Sequence, residues 1–256
     1  MHKWMPIWVA VAVSTLALVV PARGALVADY QFNNTLESVV DNVPALQNLG
    51  SANMFMTDMV NGRAQTVLHF PMGGGVELMP TTGVIPSGIY TIVVQFRFDE
   101  VSGYRRIIDF KNASSDNGLY AYDGMLYFYD SAEGSAMVID AAMYVDVALT
   151  RDQNGMVAGY VNGMPQFSFA DSANDGVIDK NQTLRFFADD MQTSDEDSAG
   201  AVARLRLFDT ALSAAEIAAL YRPTTSPAPA LSPWALALMA GLLTATGVAV
   251  LRRRPV

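Results

Sequence analysis

The chain has 256 residues, no cysteine and a formal net charge of −9, and all 25 of its acidic residues lie between residues 25 and 222. That central segment holds 11 of the 16 lysines and arginines, so its own formal charge is −14. Such an acidic surface excludes nucleic acid and anionic lipid as partners. Without cysteine, the segment lacks disulfides and thiolate zinc sites, so its own core must hold it together, with bound metal as the other available support.

The first 24 residues have the pattern of a secretory signal peptide. His2 and Lys3 precede an apolar stretch from Trp4 to Val20, and small residues precede Ala25. The alternative is a first transmembrane helix, but an apolar core of about 17 residues beside a small-residue cleavage site favours removal. We therefore predict that residues 1–24 are cleaved off and that the mature chain starts at Ala25.

Residues 25–222 have the periodicity of one antiparallel two-sheet β-sandwich. Apolar and polar side chains alternate in Tyr90–Phe98 and again in Val145–Thr150, and turn residues recur at short intervals. Asp123-Gly124 and Asn162-Gly163 predict two-residue hairpins, because both central residues of a type I′ turn need a positive φ. The sequence thus predicts an all-β fold of the meander or jelly-roll type.

A single helix is predicted, at the end of this segment. Ser213 and Glu216 have the spacing of a capping box at the start of Ala214–Tyr221, and a proline follows. A helix of about two turns is not stable alone in water, so its apolar side must pack on the sandwich. The residues expected at this contact are Ile217, Leu220 and Tyr221.

The C-terminal residues resemble a membrane anchor. A linker rich in Pro, Ser, Thr and Ala at residues 223–233 precedes 18 uncharged residues, 234–251, and then three arginines in the tail 252–256. This pattern predicts a transmembrane helix with a cytoplasmic tail, which leaves the sandwich outside the inner membrane. The alternative, a buried core helix, does not account for the arginines.

Catalytic patterns are missing from the central segment. His69 is its one histidine, and there is no cysteine and no G-x-S-x-G elbow to pair with it. Asp109 lies in an apolar strand, but the positions two before and two after it hold Ile107 and Lys111, so the paired carboxylates of a sandwich-fold glucanase are absent. We predict that the protein is not an enzyme.

An acidic cluster follows the apolar segment Leu184–Phe187, and calcium prefers several oxygen ligands of this kind. Asp189 and Asp190, at a strand end, are the predicted metal ligands. The alternative is a solvated acidic loop. Asn174–Asp179 also resembles part of a calcium loop, but it lacks the final Glu of an EF-hand and favours a plain turn. The other acidic residues of the cluster are Asp195, Glu196 and Asp197.

Aromatic side chains offer a possible binding surface in one hairpin. Every tryptophan lies in the terminal segments, whereas four tyrosines alternate along the strands on either side of Asp123-Gly124. Phenols suit wet interfaces, so they could contact a ligand, although a cross-strand ladder that stabilises the sheet is the alternative. These tyrosines are Tyr120, Tyr122, Tyr127 and Tyr129.

Several segments in order carry a family resemblance. They are Leu26–Thr35, Val147–Asp152, Tyr160–Gly163, Phe186–Asp190, Gly200–Asp209 and Ala211–Glu216. Together they resemble the laminin-G-like, concanavalin A-like lectin/glucanase jelly-roll domains. The resemblance implies a binding or adhesion module with a structural calcium at Asp189 and Asp190. In the last strand, Ala203 stands where these domains often carry an acid, which puts any metal site using that acid in doubt.

The tail from Pro229 to Leu236, with the apolar span and arginines after it, resembles PEP-CTERM-like sorting signals of the IPTL type. The resemblance implies processing by an exosortase-type protease of a Gram-negative bacterium, although Ala230 replaces the usual Thr. A plain C-terminal anchor is the alternative. The domain would then be periplasmic on the inner membrane, or on the cell surface or extracellular after processing.

The sequence as a whole favours an exported adhesion module that binds a glycan or another envelope polymer. Two alternatives stay open at this point. One is a structural matrix or biofilm component without a discrete ligand, and the other is a divergent polysaccharide hydrolase or lyase.

Overall fold

A computed structural model describes residues 24–189 and 196–221, in which the chain forms fifteen β-strands and one α-helix. The strands are β1 (Leu26–Tyr30), β2 (Gln47–Leu49), β3 (Met54–Val60), β4 (Arg63–Phe70), β5 (Gly75–Leu78), β6 (Tyr90–Phe98), β7 (Tyr104–Asp109), β8 (Gly118–Tyr122), β9 (Met125–Tyr129), β10 (Ala132–Met137), β11 (Val145–Arg151), β12 (Met156–Val161), β13 (Met164–Ala170), β14 (Leu184–Phe186) and β15 (Gly200–Phe208), and the helix is α1 (Ala214–Tyr221).

The strands make two antiparallel sheets packed face to face. Sheet A has the order β13-β12-β11-β6-β15-β4-β3, and β1 also pairs with β15. Sheet B has the order β10-β9-β8-β7-β14-β5-β2. The main hydrophobic core fills the space between the two sheets. The predicted two-sheet β-sandwich is therefore confirmed.

The central strand β6 shows why the alternation predicts its faces. Its alternate side chains Ile92, Val94, Phe96 and Phe98 are buried in the main core. Val93 points to the other face, yet it is also buried, because it packs in a second cluster with Ile217 of α1. Val93, an apolar residue on the face of β6 that is otherwise polar, thus lies where α1 packs on the sheet.

The helix and hairpin turns form as predicted. The Ser213 backbone N–H donates to Glu216 Oε2 at 2.9 Å, and the Glu216 N–H donates to Ser213 Oγ at 3.3 Å, which completes the capping box. Ile217 is fully buried, and Leu220 and Tyr221 pack against the same cluster. Both residues of Asp123-Gly124 and of Asn162-Gly163 have positive φ angles, as the type I′ turn requires.

One edge of β15 is shared by two strands. Gly200–Val202 pairs with β4, whereas Leu205–Phe208 pairs with β1. The two partner strands therefore diverge at Ala203 and Arg204, where β15 also has a bulge toward β6. The sheet forks at this point and leaves a cleft on the outer side of sheet A.

The predicted signal peptide, linker, transmembrane helix and cytoplasmic tail lie outside the described residues, apart from Gly24. Asp190 and Asp195 lie outside them as well. In the described ranges, α1 is too short to cross a membrane, and no other helix is present.

Candidate functional site

Five tyrosines lie together on the outer face of sheet B, and we call this surface the tyrosine face. In β8 and β9 the alternate residues Leu119, Ala121, Leu126 and Phe128 point into the main core. The tyrosines between them must therefore point away from it, since successive side chains in a strand lie on opposite faces. The tyrosine face consists of Tyr104 in β7, Tyr120 and Tyr122 in β8, and Tyr127 and Tyr129 in β9.

Tyr104 is the centre of this face. Its ring stacks on that of Tyr122 with centroids 4.2 Å apart, and it lies 6.0 Å from the rings of both Tyr127 and Tyr129. These four side chains are half-buried, so each keeps part of its ring open to solvent. The face is consequently a rigid aromatic surface that remains accessible.

Tyr120 supports this surface from beneath. It is only 1% exposed, and its hydroxyl lies 2.8 Å from the Asp116 carbonyl oxygen and 3.0 Å from Glu196 Oε2. The Arg106 guanidinium lies 4.7 Å from the centre of its ring, a cation–π contact. Tyr120 therefore differs from the other predicted tyrosines, because it positions its neighbours and has almost no surface for a ligand.

The phenols of Tyr104 and Tyr127 remain neutral hydrogen-bond donors. Burial raises the pKa of Tyr104 above its usual value, and the neighbouring phenols raise it further. Burial also raises the pKa of Tyr127, with Asp130 and Tyr129 acting in the same direction. Rings with neutral hydroxyl groups can pack against an apolar surface and hydrogen-bond to hydroxyl groups at its rim.

The predicted metal ligand Asp189 lies beside Arg106 at the base of the face. Its Oδ1 is 3.7 Å from Arg106 Nε, and its Oδ2 accepts the backbone N–H of Glu196 at 3.3 Å. Within residues 24–189 and 196–221, no three His, Asp or Glu side chains form a group suited to a metal ion. Because Asp190 lies outside these ranges, the calcium site stays a prediction.

The second calcium-like segment, Asn174–Asp179, contains tight turns in the structure. Lys111 Nζ donates to the carbonyl oxygens of Asn174 and Val177 at 2.8 and 2.9 Å. The Asp171 carboxylate accepts the backbone N–H groups of Asp175 and Gly176. A lysine ammonium group thus lies against two of the carbonyl oxygens that a bound cation would use.

The residues considered for catalysis lie apart from the tyrosine face or inside the protein. His69 is half-buried in β4 on sheet A. Asp109 is 1% exposed, and it accepts the backbone N–H groups of Lys111 and Ala113 at 2.7 and 2.5 Å. Burial raises its pKa despite these hydrogen bonds. The Asp109 carboxylate therefore stabilises a turn and is not placed for a reaction at the surface.

Tyr104 is the part of the site that the sequence did not reveal. It lies 16 residues before Tyr120 and reaches the face only because β7 pairs with β8, where Tyr104 is opposite Tyr122. The Asp123-Gly124 turn identified the hairpin, and the alternating tyrosines on its strands indicated the candidate surface. The sequence offered one signal for Tyr104, namely its position at the start of the strand that precedes the hairpin.

Solved structures with similar folds include carbohydrate-bound and toxin domains. Domain 4 of AbnA, an extracellular GH43 arabinanase of Geobacillus stearothermophilus in complex with arabinotriose, is 19% identical, with a TM-score of 0.61 over 78% of this chain and 100% of that one. The binding domain of Paraclostridial Mosquitocidal Protein 1 is 14% identical, with a TM-score of 0.59 over 77% of this chain and 51% of that one.

A structure of botulinum neurotoxin type C, described by its dependence on two ganglioside molecules for cell entry, is 13% identical with a TM-score of 0.52, covering 78% of this chain and 50% of that one. This chain therefore spans about half the length of the toxin structures. At these identities the likeness shows the fold alone. A comparison with curated proteins gives no match.

A family model supplies the relationship that the fold alone does not. The model described as the concanavalin A-like lectin/glucanases superfamily, of the third laminin-G type, matches residues 72–218. This range covers more than half of the chain and runs from β5 into α1. It includes all five residues of the tyrosine face. The chain belongs to the concanavalin A-like lectin/glucanases superfamily.

Proposed function

We propose that this protein binds neutral polysaccharide at the cell envelope through its tyrosine face. One observation carries the proposal, namely the exposed aromatic surface formed by Tyr104, Tyr122, Tyr127 and Tyr129. Membership of the superfamily and the arabinotriose complex of a similar fold support a carbohydrate ligand. The formal charge of −14 on the segment that carries the face favours a neutral polymer over an acidic one.

The geometry suits the two sides of a sugar ring. A pyranose or furanose presents C–H groups on its faces and hydroxyl groups at its rim. The rings of Tyr104 and Tyr122 offer apolar surface for the C–H groups, and the hydroxyl groups of the surrounding tyrosines offer donors and acceptors. Because the rings pack against one another, little rotamer freedom is lost when a ligand binds.

The alternative is that the tyrosines serve only as a stabilising ladder, in a matrix component without a discrete ligand. Cross-strand aromatic pairs do stabilise sheets, and the ring contacts here would do so. A ladder requires contact between rings and makes no use of their exposed edges. Binding measurements on ring-deletion variants therefore separate the two functions.

The test is titration calorimetry of the purified full chain with arabinotriose, xylotriose and cellotriose. We expect at least one of them to bind. Tyr122→Ala should weaken binding at the tyrosine face at least about tenfold, because truncation of a central aromatic contact in an interface is costly. Tyr122→Phe keeps the ring and should lose much less.

Tyr144→Ala is the matched control, since Tyr144 is a half-buried tyrosine outside this face that contacts Asp58 and Arg97. It should leave sugar binding unchanged. Failure of all three sugars to bind the wild type, or equal binding by Tyr122→Ala, would remove the tyrosine face as a carbohydrate site. Turnover of a polysaccharide by the wild type would instead favour the hydrolase or lyase.

The proposal places the domain outside the cytoplasm, tethered through residues 234–251 or released by an exosortase-type protease. The signal-like N-terminus and the PEP-CTERM-like tail support this location. Comparing the mass of the cell-associated protein with and without the tail tests the processing step, and an unprocessed tail would leave the plain anchor. A structural calcium at Asp189 and Asp190 is also part of the proposal.

A further inference from the structure

The fork in sheet A opens a polar cleft of about 480 Å³, which we call the fork cleft. It lies where β1 and β4 diverge from the shared edge of β15, so the cleft follows from the strand topology. Backbone groups that would otherwise pair along the edge are left to side chains here, and Gln65 Nε2 donates to the Ala203 carbonyl oxygen at 3.3 Å. The fork cleft is lined by Gln31, Asn33, Gln65, Gln95, Ala203 and Arg204.

Three carboxamides in the fork cleft are held in fixed orientations. Gln31 Nε2 donates to Asp29 Oδ2 at 3.0 Å, and Gln95 Nε2 donates to Asp146 Oδ2 at 3.0 Å. Gln65 is fixed by its bond to Ala203. One N–H of each amide is engaged, so each side-chain oxygen is available to accept from a ligand and each nitrogen keeps a second N–H to donate. Three preoriented acceptors suit the hydroxyl groups of a sugar.

The charge in the fork cleft is balanced. Arg204 Nε and Nη2 both donate to the Asp29 carboxylate at 2.8 Å. The Arg204 side chain is nevertheless 41% exposed, and its Nη1 makes no hydrogen bond within the described residues, so it can donate to a ligand. The lining contains no aromatic ring and few apolar groups, which disfavours a nucleobase or an apolar peptide. A neutral polyhydroxylated ligand matches these features best.

We propose that the fork cleft is a second carbohydrate-binding site, on the opposite outer surface of the sandwich from the tyrosine face. Its ligand class rests on the proposed function, but its residues and location are independent of it. Hydrogen bonds to side-chain amides would hold the sugar here, whereas aromatic packing would hold it on the tyrosine face. One protein would then join two polysaccharide segments, one on each sheet.

The test is NMR titration of the ¹⁵N-labelled full chain with arabinotriose, xylotriose and cellotriose. We expect the side-chain amide signals of Gln31, Gln65 and Gln95 to shift with a bound sugar, while that of Gln47, exposed on β2 of sheet B, stays unchanged. The double variant Gln31→Ala with Gln95→Ala should weaken this binding about tenfold, through the loss of two of the three carboxamides that would hydrogen-bond to the ligand. Gln47→Ala is the matched control.

The outcomes separate this site from the tyrosine face. In Tyr122→Ala, the fork-cleft signals should still respond to sugar, which supports the fork cleft even if the tyrosine face proves inactive. The inference is overturned if the three amide signals stay fixed at saturating sugar, or if the double variant binds as tightly as Gln47→Ala. A response only to an added peptide would overturn it also.

Discussion

Arg106 is one of the largest fully buried side chains in the described residues, and its guanidinium supplies positive charge beneath the tyrosine face. Its Nη2 lies 3.2 Å from Glu196 Oε2, and its Nε lies 3.7 Å from Asp189 Oδ1. A charge taken out of water needs such partners, because its hydration is lost. Arg106 therefore connects β7 to Asp189 and Glu196, the described residues that flank positions 190–195.

Removing the Arg106 guanidinium should be costly. Arg106→Met would leave Asp189 and Glu196 without their cation, so we expect the free energy of unfolding to fall by about 3–5 kcal/mol. Arg63→Met is the control, because Arg63 is exposed on β4 and its removal should cost under about 1 kcal/mol. Urea unfolding followed by circular dichroism measures both. Equal losses in the two variants would contradict the assignment.

The calcium proposal is tested at the same residues. A cation that binds only the folded protein raises its midpoint of thermal unfolding by mass action. If Asp189 and Asp190 bind calcium, calcium should raise the midpoint of the wild type relative to EGTA, and Asp189→Ala with Asp190→Ala should remove that difference. If EGTA does not change the midpoint of thermal unfolding, the cation that pairs with Asp189 is Arg106 and not calcium.

At the scale of elements, the ion pair between Asp29 and Arg204 fastens the first strand to the last. Asp29 in β1 is 3% exposed and takes both hydrogen bonds of the pair. Burial alone would raise the pKa of its carboxyl, but hydrogen bonds from Arg204 and Gln31 outweigh it and hold the pKa below its ordinary value. The folded state therefore favours the ionised form of Asp29.

This direction fixes the expected pH dependence. A lowered folded-state pKa contributes stability that is present above the unfolded value, about 3.9, and is lost as the pH falls through the folded value. Asp29→Asn should cost about 2 kcal/mol at neutral pH, and the difference from the wild type should narrow below about pH 4. Thermal unfolding from neutral to acidic pH measures it. Asp41→Asn, the same substitution at an exposed position, is the control and should cost under about 0.5 kcal/mol at neutral pH.

Local signals in the sequence identified individual elements but not how they are combined. β6, the two hairpins and α1 were predictable because alternation, turn residues and the capping box act over a few neighbours. The pairing of β6 with β11 and β15 joins segments far apart in the chain. Tyr104 and the fork cleft depend on such distant pairings, so no local pattern could place them.

For the whole molecule, the acidic charge should select among polymers. With −14 on the central segment, a polyanion such as polygalacturonate is repelled, and the repulsion is screened as salt rises. We expect affinity electrophoresis to show little retention by polygalacturonate at about 0.01 M salt. At about 1 M salt, where the repulsion is screened, this retention should be the same or greater. Retention by a neutral arabinan should be nearly independent of salt. Strong retention by polygalacturonate at low salt, lost when salt is added, would contradict this expectation.

The start and end of the sandwich lie side by side. The Ala25 N–H donates to Asp209 Oδ1 at 3.0 Å, and β1 lies along the same strand, β15, that leads to α1. A mechanical load applied beyond Tyr221 would meet α1 first, an eight-residue helix with one buried residue, Ile217. The preceding strand, β15, is hydrogen-bonded to neighbouring strands on both edges, so many hydrogen bonds would have to break together before β15 separates. The helix would therefore detach first, which would leave the two sheets, with the tyrosine face and the fork cleft, folded under tension.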